Sequence, residues 1–271
     1  RKESSAASDV YKRQGHDIYG GSYQFTQNKG DRSWGVTLSD GMGSSDSNGV
    51  GRSIRRNAAG DVIRDERFEN DGWGGGQSIR GNYTGPVFGG KLEGTARYGL
   101  NDYQNWTELS SPTSLRRSDY AEDGDSGELG LTWTRTLNPR WTLETRLIHE
   151  FSSFDSVSGS NETLNGTAAP EQQFKSDGDS SESILRALVR HERSPALTIE
   201  AGAEIAYNML DVNQAFTIGG VGVPLPSASV KVEETRGEAF SKATWRINPK
   251  LTLEGGVRLE ASTISQSGDA D

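Results

Sequence analysis

Apolar and polar residues alternate strictly through much of this chain. After Pro139, one set of positions holds Trp141, Leu143, Thr145 and Leu147, and the other holds Thr142, Glu144 and Arg146. A period of two is that of a β-strand, whose successive side chains point to opposite faces. The pattern is written three times, as Asn138-Pro139-Arg140-Trp141-Thr142-Leu143-Glu144, Ser194-Pro195-Ala196-Leu197-Thr198-Ile199-Glu200 and Asn248-Pro249-Lys250-Leu251-Thr252-Leu253-Glu254. Proline holds φ near −65° and has no N–H to donate, so each copy predicts a tight turn that launches a strand.

From residue 15 onward the alternation predicts five hairpins, hence about ten strands. Tyr19, Tyr23 and Phe25 lead to the turn Asn28-Lys29-Gly30-Asp31, and Trp34, Val36 and Leu38 return. Ile79 and Tyr83 lead to a turn over Gly85–Gly90, answered by Leu92, Ala96 and Tyr98. The remaining hairpins turn at Pro139, Pro195 and Pro249. With Gly30 and Pro86 these turns are spaced by 56, 53, 56 and 54 residues, an internal repeat of strand pairs. Between them lie Ser44–Gly76, Thr107–Asp125, Asp155–Ser181 and Leu210–Ser229, rich in Ser, Gly, Asp and Asn, which read as long loops. Apolar arms around Gly60, from Ile54 to Ile63, predict a small hairpin inside the first. All the long segments fall at one end of the strands and all the tight turns at the other.

Composition sharpens this picture by exclusion. The mean hydropathy is −0.70, and 34 of 271 residues are glycine. No apolar run reaches the ~18 residues of a membrane helix. A net charge of −9 argues against nucleic acid as a partner, because phosphate binding needs clustered Lys and Arg. Without cysteine there is neither a disulfide framework nor a thiolate metal site. Residues 4–14, Ser-Ser-Ala-Ala-Ser-Asp-Val-Tyr-Lys-Arg-Gln, resemble the translation of a sequencing adapter. Residues 1–14 are accordingly read as a non-native extension and residues 15–271 as the domain.

Tight turns at one end, long segments at the other and amphipathic strands between them predict an all-β, antiparallel transmembrane β-barrel fragment with tight periplasmic turns and long extracellular loops. Lipid supplies no hydrogen-bond partners, so a sheet spans it only by pairing every strand. Tryptophan placement points the same way. Trp34 and Trp141 follow tight turns while Trp133 and Trp245 precede them, as an aromatic girdle at a membrane interface requires. Pro139 then marks the rim, Leu143 and Leu147 the lipid face, and Glu144 and Arg146 the lumen.

The hairpin rhythm, the Asn-Pro-Lys/Arg turns and the run from Arg236-Gly237-Glu238-Ala239-Phe240 through Trp245 to Leu251-Thr252-Leu253-Glu254-Gly255-Gly256-Val257-Arg258-Leu259-Glu260 resemble the barrel of a TonB-dependent outer-membrane receptor. The resemblance implies a Gram-negative outer membrane, lipid as a partner, and energy-coupled uptake of a scarce nutrient such as an iron chelate, cobalamin or an oligosaccharide. It also implies a plug domain and a TonB-contacting segment, neither of which is visible in this sequence. A plugged barrel of about 22 strands needs roughly 600 residues at this period, so ten strands read as a part. Two other readings stay open: a passive outer-membrane porin, and a structural or adhesive β-repeat protein.

Candidate chemistry is sparse, and no catalytic residue, cofactor or metal site is expected. His16, His149 and His191 stand far apart in the sequence. Asp119, Glu122, Asp123 and Asp125 offer oxygen ligands for Ca²⁺, but as a hydrated loop they need none. Arg55, Arg56 and Arg64, with Trp106 and Phe216, are the loop residues suited to an anionic or aromatic ligand, against a plain reading of loop solvation and packing.

Overall fold

The computed structural model describes residues 11–13 and 16–268, with side chains from Ile18 onward. Tyr11–Arg13 form β1; residues 1–10 and 14, the rest of the segment read as an extension, lie outside the described residues. The fold is a single antiparallel sheet of fourteen strands that follows the chain as a meander. Ten strands are long: β2 (His16–Lys29), β3 (Arg32–Ser44), β5 (Val62–Val87), β6 (Gly90–Ser110), β7 (Ser114–Asn138), β8 (Trp141–Leu164), β10 (Gln172–Ser194), β11 (Leu197–Ile218), β13 (Ser229–Asn248) and β14 (Leu251–Gly268). Three short ones, β4 (Gly49–Arg56), β9 (Thr167–Ala168) and β12 (Val221–Val223), pair beside β5, β8 and β11. The sheet is not closed, and β14 pairs with β13 alone.

The long strands form the five expected hairpins, each closed by two residues: Gly30-Asp31, Phe88-Gly89, Pro139-Arg140, Pro195-Ala196 and Pro249-Lys250. The recurrent turn owes its form to side chains as well as to proline. Asn138 Oδ1 accepts the Arg140 N–H at 3.0 Å and Asn248 Oδ1 the Lys250 N–H at 2.9 Å, while Ser194 Oγ accepts the Ala196 N–H at 3.3 Å. These are the local turns that Asn and Ser form with backbone two residues on. A register shift precedes each one, at Thr136/Asn138, Glu192/Ser194 and Arg246/Asn248. The second hairpin differs. Pro86 lies within β5, opposite Lys91, and the turn is made by Phe88 (φ 49°) and Gly89 (φ 73°). The β3–β5 ladder ends at Ser33 and Thr84, so on that side Pro86 has no ladder to interrupt.

The segments read as long loops are mostly paired strand. β5 runs for 26 residues and β7 for 25, so the hairpins continue beyond the alternating apolar stretch. Between β6 and β7 only residues 111–113 are unpaired. Ser, Asp, Asn and Gly conceal a strand from propensity, but a backbone already held in register by neighbours on both sides keeps its ladder. The small hairpin near Gly60 is present as β4 and β5, with Ile54 opposite Asp65 and Arg55 opposite Arg64.

Pairing carries the two faces across the whole sheet. One row runs Leu131, Leu147, Leu185, Ile205, Gly237 and Ala261; the row beside it on the other face runs Thr132, Arg146, Arg186, Glu204, Glu238 and Glu260. The apolar face is the open one: Ile205 is 54% and Leu185 48% exposed. On the polar face the Glu204 and Glu238 side chains are only 15% and 8% exposed, and Ala206 is 1% exposed. That difference places the polar face on the inside of the curvature. Along β8 the apolar stretch from Trp141 to Phe151 rises about 26 Å, given ~3.4 Å per residue and a tilt of about 40°.

Candidate functional site

The inner face is a continuous wall of charged and hydroxylated side chains, positioned by strand parity alone. At its centre Arg186 and Arg236 both approach Glu204, each at 3.8 Å, and Arg258 meets Glu238 at 2.6 Å and Glu260 at 3.1 Å. Arg190 binds Glu200 at 2.6 Å, Lys242 binds Glu254 at 3.2 Å, and Arg146 binds Glu144 at 3.3 Å. Glutamates that sit directly opposite one another would repel; the interleaved arginines offset this. The Arg186 guanidinium also lies 4.4 Å over the Phe240 ring. Gly202 makes that packing possible, because a Cβ there would stand 2.6 Å from the Phe240 ring.

Farther from the tight turns, Arg97, Glu128, Glu150 and Glu182 follow one another across β6, β7, β8 and β10, with Ser126, Ser152 and Ser180 as the next row. Together they line a recess of about 440 Å³, in which the Ser152 and Ser180 hydroxyls are 2.9 Å apart. Such a wall offers hydrogen bonds and charged groups to a hydrated solute. Among the described residues, the Ser152 and Ser180 hydroxyls of this recess bond to one another and not to a histidine. The His149 Nδ1···Ser183 Oγ contact, at 2.9 Å, lies on the apolar face instead.

The residues expected to meet a ligand are not brought together. Arg55 and Arg64 are directly opposed on the β4–β5 hairpin, with Arg64 Nε 3.8 Å from the buried Glu66, and Arg56 donates to the Gly60 carbonyl at 3.0 Å. Trp106 stands on β6, its ring 5.1 Å beneath the Arg117 guanidinium. Phe216, on β11, is separated from β6 by three long strands and stands opposite Phe174 and Val223. All five occupy strands and not loops.

The acidic cluster is likewise part of a strand, β7, and its alternation splits it. Asp119, Asp123 and Asp125 share the parity of Leu129 and Leu131, while Glu122 points to the other face. Asp119 is held by Arg117 at 3.0 Å, Asp125 accepts from Ser153, and Glu122 accepts from Tyr120. That bond to Glu122 pushes the Tyr120 hydroxyl up to about 12. Among the described residues no group of three His, Asp or Glu side chains could hold a metal ion. His191 stacks on Trp141, with ring centroids 4.1 Å apart, and the side chain of His16 lies outside the described residues.

The four tryptophans share the apolar face beside the tight turns. Trp34, Trp141 and Trp245 are exposed, and Trp133 donates its indole N–H to the Val87 carbonyl at 2.9 Å.

A polar knot where β3 gives way to β4 has no counterpart in the sequence reading. The Asn48 Nδ2 donates to Ser44 Oγ at 2.7 Å, Asp71 Oδ1 at 3.0 Å and the Gly72 carbonyl at 2.8 Å, and Asn48 Oδ1 accepts the Gly72 N–H. Asn70, 5% exposed, accepts from Asn105 and Thr107. The adjoining glycines leave no space for side chains: a Cβ at Gly74, Gly75 or Gly76 would come within 2.6–2.9 Å of the Asp102, Gly41 or Leu100 carbonyl oxygen. The Gly-rich run was legible; the partner of Asn48, 24 residues away, was not.

A family model described as "TonB dependent receptor-like, beta-barrel" matches residues 8–271. No curated protein sequence matches the chain. Among solved structures, the ferric yersiniabactin uptake receptor FyuA from Yersinia pestis is similar over 93% of this chain, at 9% identity and a TM-score of 0.31, a likeness too distant to argue from. The chain spans 60% of that receptor's length.

Proposed function

The chain belongs to the TonB-dependent receptor-like β-barrel family, and from that premise we propose that it is part of an outer-membrane receptor for the energy-coupled uptake of a scarce nutrient. One observation carries the reading beyond the family: an unbroken polar wall backed by an apolar face across ten long strands. A soluble sandwich buries its apolar face against a second sheet. Here Leu38, Ile79, Leu185 and Ile205 are all exposed, as a lipid-facing surface requires.

In this reading Trp34, Trp133, Trp141 and Trp245 form the girdle at the periplasmic interface, and the polar wall lines the lumen around a plug. The strand extensions reach outward from the cell. The hairpin bearing Arg55, Arg56 and Arg64 and the Arg117–Trp106 pair give that end cationic and aromatic groups for ligand capture, with Phe216 on a separate extension. TonB acts through the plug of the full-length protein. The test is uptake of labelled ferric chelates, cobalamin and oligosaccharides by cells carrying the full-length gene, with the inner-membrane proton gradient intact or collapsed. One class is expected to accumulate only with the gradient intact. Uptake that persists after collapse would mark a passive pore and overturn the reading.

A further inference from the structure

The apolar face carries a groove at one point. On β2, β3, β5 and β6 it is lined by Tyr19, Tyr23, Leu38, Ile79, Tyr98 and Leu100 and encloses about 690 Å³, within the size range of small-molecule sites. The groove exists because Gly21, between Tyr19 and Tyr23, has no side chain: a Cβ there meets nothing within 4 Å. Its end farthest from the tight turns opens into a second recess of about 500 Å³, which shares Tyr19, Asp40, Gln77 and Leu100 with it. Asp102, Asp123, Asp125 and Asp155 line that recess with Asp40.

These carboxylates are not balanced by the protein. Asp102, Asp123 and Asp155 sit directly opposite one another on β6, β7 and β8, a like-charge arrangement that destabilises a sheet. Among the described residues, none of the five aspartates forms an ion pair with Lys or Arg. An apolar trough that runs into an uncompensated acidic recess is complementary to one chemistry: a hydrocarbon chain that ends in a cationic head. Given the membrane reading above, on which this inference rests, we propose that the groove holds one chain of a membrane lipid whose head group carries a primary amine. The chain lies between Tyr19 and Tyr98, and the ammonium sits among Asp102, Asp123 and Asp155. The site is on the outside of the wall and separate from any ligand path through it.

The test is native mass spectrometry of the full-length receptor in a neutral detergent, titrated with phosphatidylethanolamine or with phosphatidylglycerol of the same acyl chains. One phosphatidylethanolamine should be retained about tenfold more tightly than phosphatidylglycerol, a factor that corresponds to about 1.4 kcal/mol. Gly21→Trp, which fills the trough, should abolish retention of both. Gly237→Trp places the same side chain on the same face at β13, where a Cβ also meets nothing within 4 Å, and should retain wild-type binding. The triple variant Asp102→Asn, Asp123→Asn, Asp155→Asn should keep chain binding and lose the head-group preference. Heat-dependent gel mobility reports that each variant is folded. Equal retention of the two lipids by the wild type, or wild-type binding by folded Gly21→Trp, overturns the site and leaves the barrel standing. A receptor recovered in the soluble fraction without detergent overturns the membrane reading itself.

Discussion

Single residues decide which face of the sheet a side chain meets. Leu143 and Glu144 are neighbours in β8, yet Leu143 is paired with Val189 on the apolar face and Glu144 with Leu188 on the inner one, 3.3 Å from Arg146. Leu147→Arg, on the same apolar face as Leu143 and about midway along the apolar stretch, should therefore block assembly into the outer membrane, at a cost of about 2 to 4 kcal/mol near the midplane, while Glu144→Gln assembles normally. The yield of folded, heat-modifiable receptor in outer-membrane fractions reads both, and equal yields would refute the face assignment. Tyr120 supplies a pH dependence. Its hydroxyl donates to Glu122 and is raised to about 12, above the usual value of 10.0. A raised pKa means that the folded state holds the proton more tightly than the unfolded chain, so this contribution is complete below pH 10 and fades as the pH climbs toward 12. A urea-unfolding series over that window should show a loss of stability in the wild type that is smaller in Tyr120→Phe.

Among elements, the junction of β3, β4 and β5 has the most specific chemistry. β3 and β4 pair in succession with the same side of β5, and the Asn48 carboxamide bridges the break by binding both the N–H and the carbonyl of Gly72. Asn48→Ala leaves the Gly72 N–H without its partner, while the Gly72 carbonyl keeps the Ser45 N–H at 2.8 Å, and an unsatisfied buried group costs about 1–3 kcal/mol. Hydrogen exchange should then accelerate in β4 and the facing half of β5, with no change in β10, β11 and β13. Acceleration spread evenly through the sheet would show that the junction has no local role. The other elements were legible to different degrees. The five tight hairpins could be read because alternation marks all of them, with proline as a second mark in the three at Pro139, Pro195 and Pro249 and glycine in the other two. The strand extensions could not, because Asp, Ser and Gly are poor strand formers in isolation and only neighbours in register hold them in place. The Asn165-Gly166 hairpin between β8 and β9, with φ 49° and 79°, had the standard turn signal and lay unread inside a presumed loop.

For the whole molecule the open sheet is the controlling fact. β14 pairs on one side only, and its side chains are exposed along its length. An unpaired edge is a template for another chain. The 271-residue chain expressed alone should form concentration-dependent assemblies in detergent, seen by sedimentation velocity, and Val257→Lys with Leu259→Lys should not prevent them, because edge backbone and not the apolar face drives the pairing. A monodisperse monomer at every concentration would count against this account. The candidate sites show the same dependence on scale. Arg55, Arg64, Trp106 and Phe216 were chosen by residue type, and the fold spreads them over strands that do not converge. The lipid groove, by contrast, was absent from the sequence reading, because Gly21 and Asp155 come onto one surface only through four intervening long strands.

By itself the sequence determined the strand period, the five turns, the two faces and the family, because each is a local property repeated about every 55 residues. It also determined which side chains line the inner wall, since parity within a strand cannot shift without inverting every residue after it. Only the tertiary structure decided how far the strands extend, which glutamate meets which arginine, and where the apolar face is grooved. Those depend on register between strands, and register is set by partners tens of residues away.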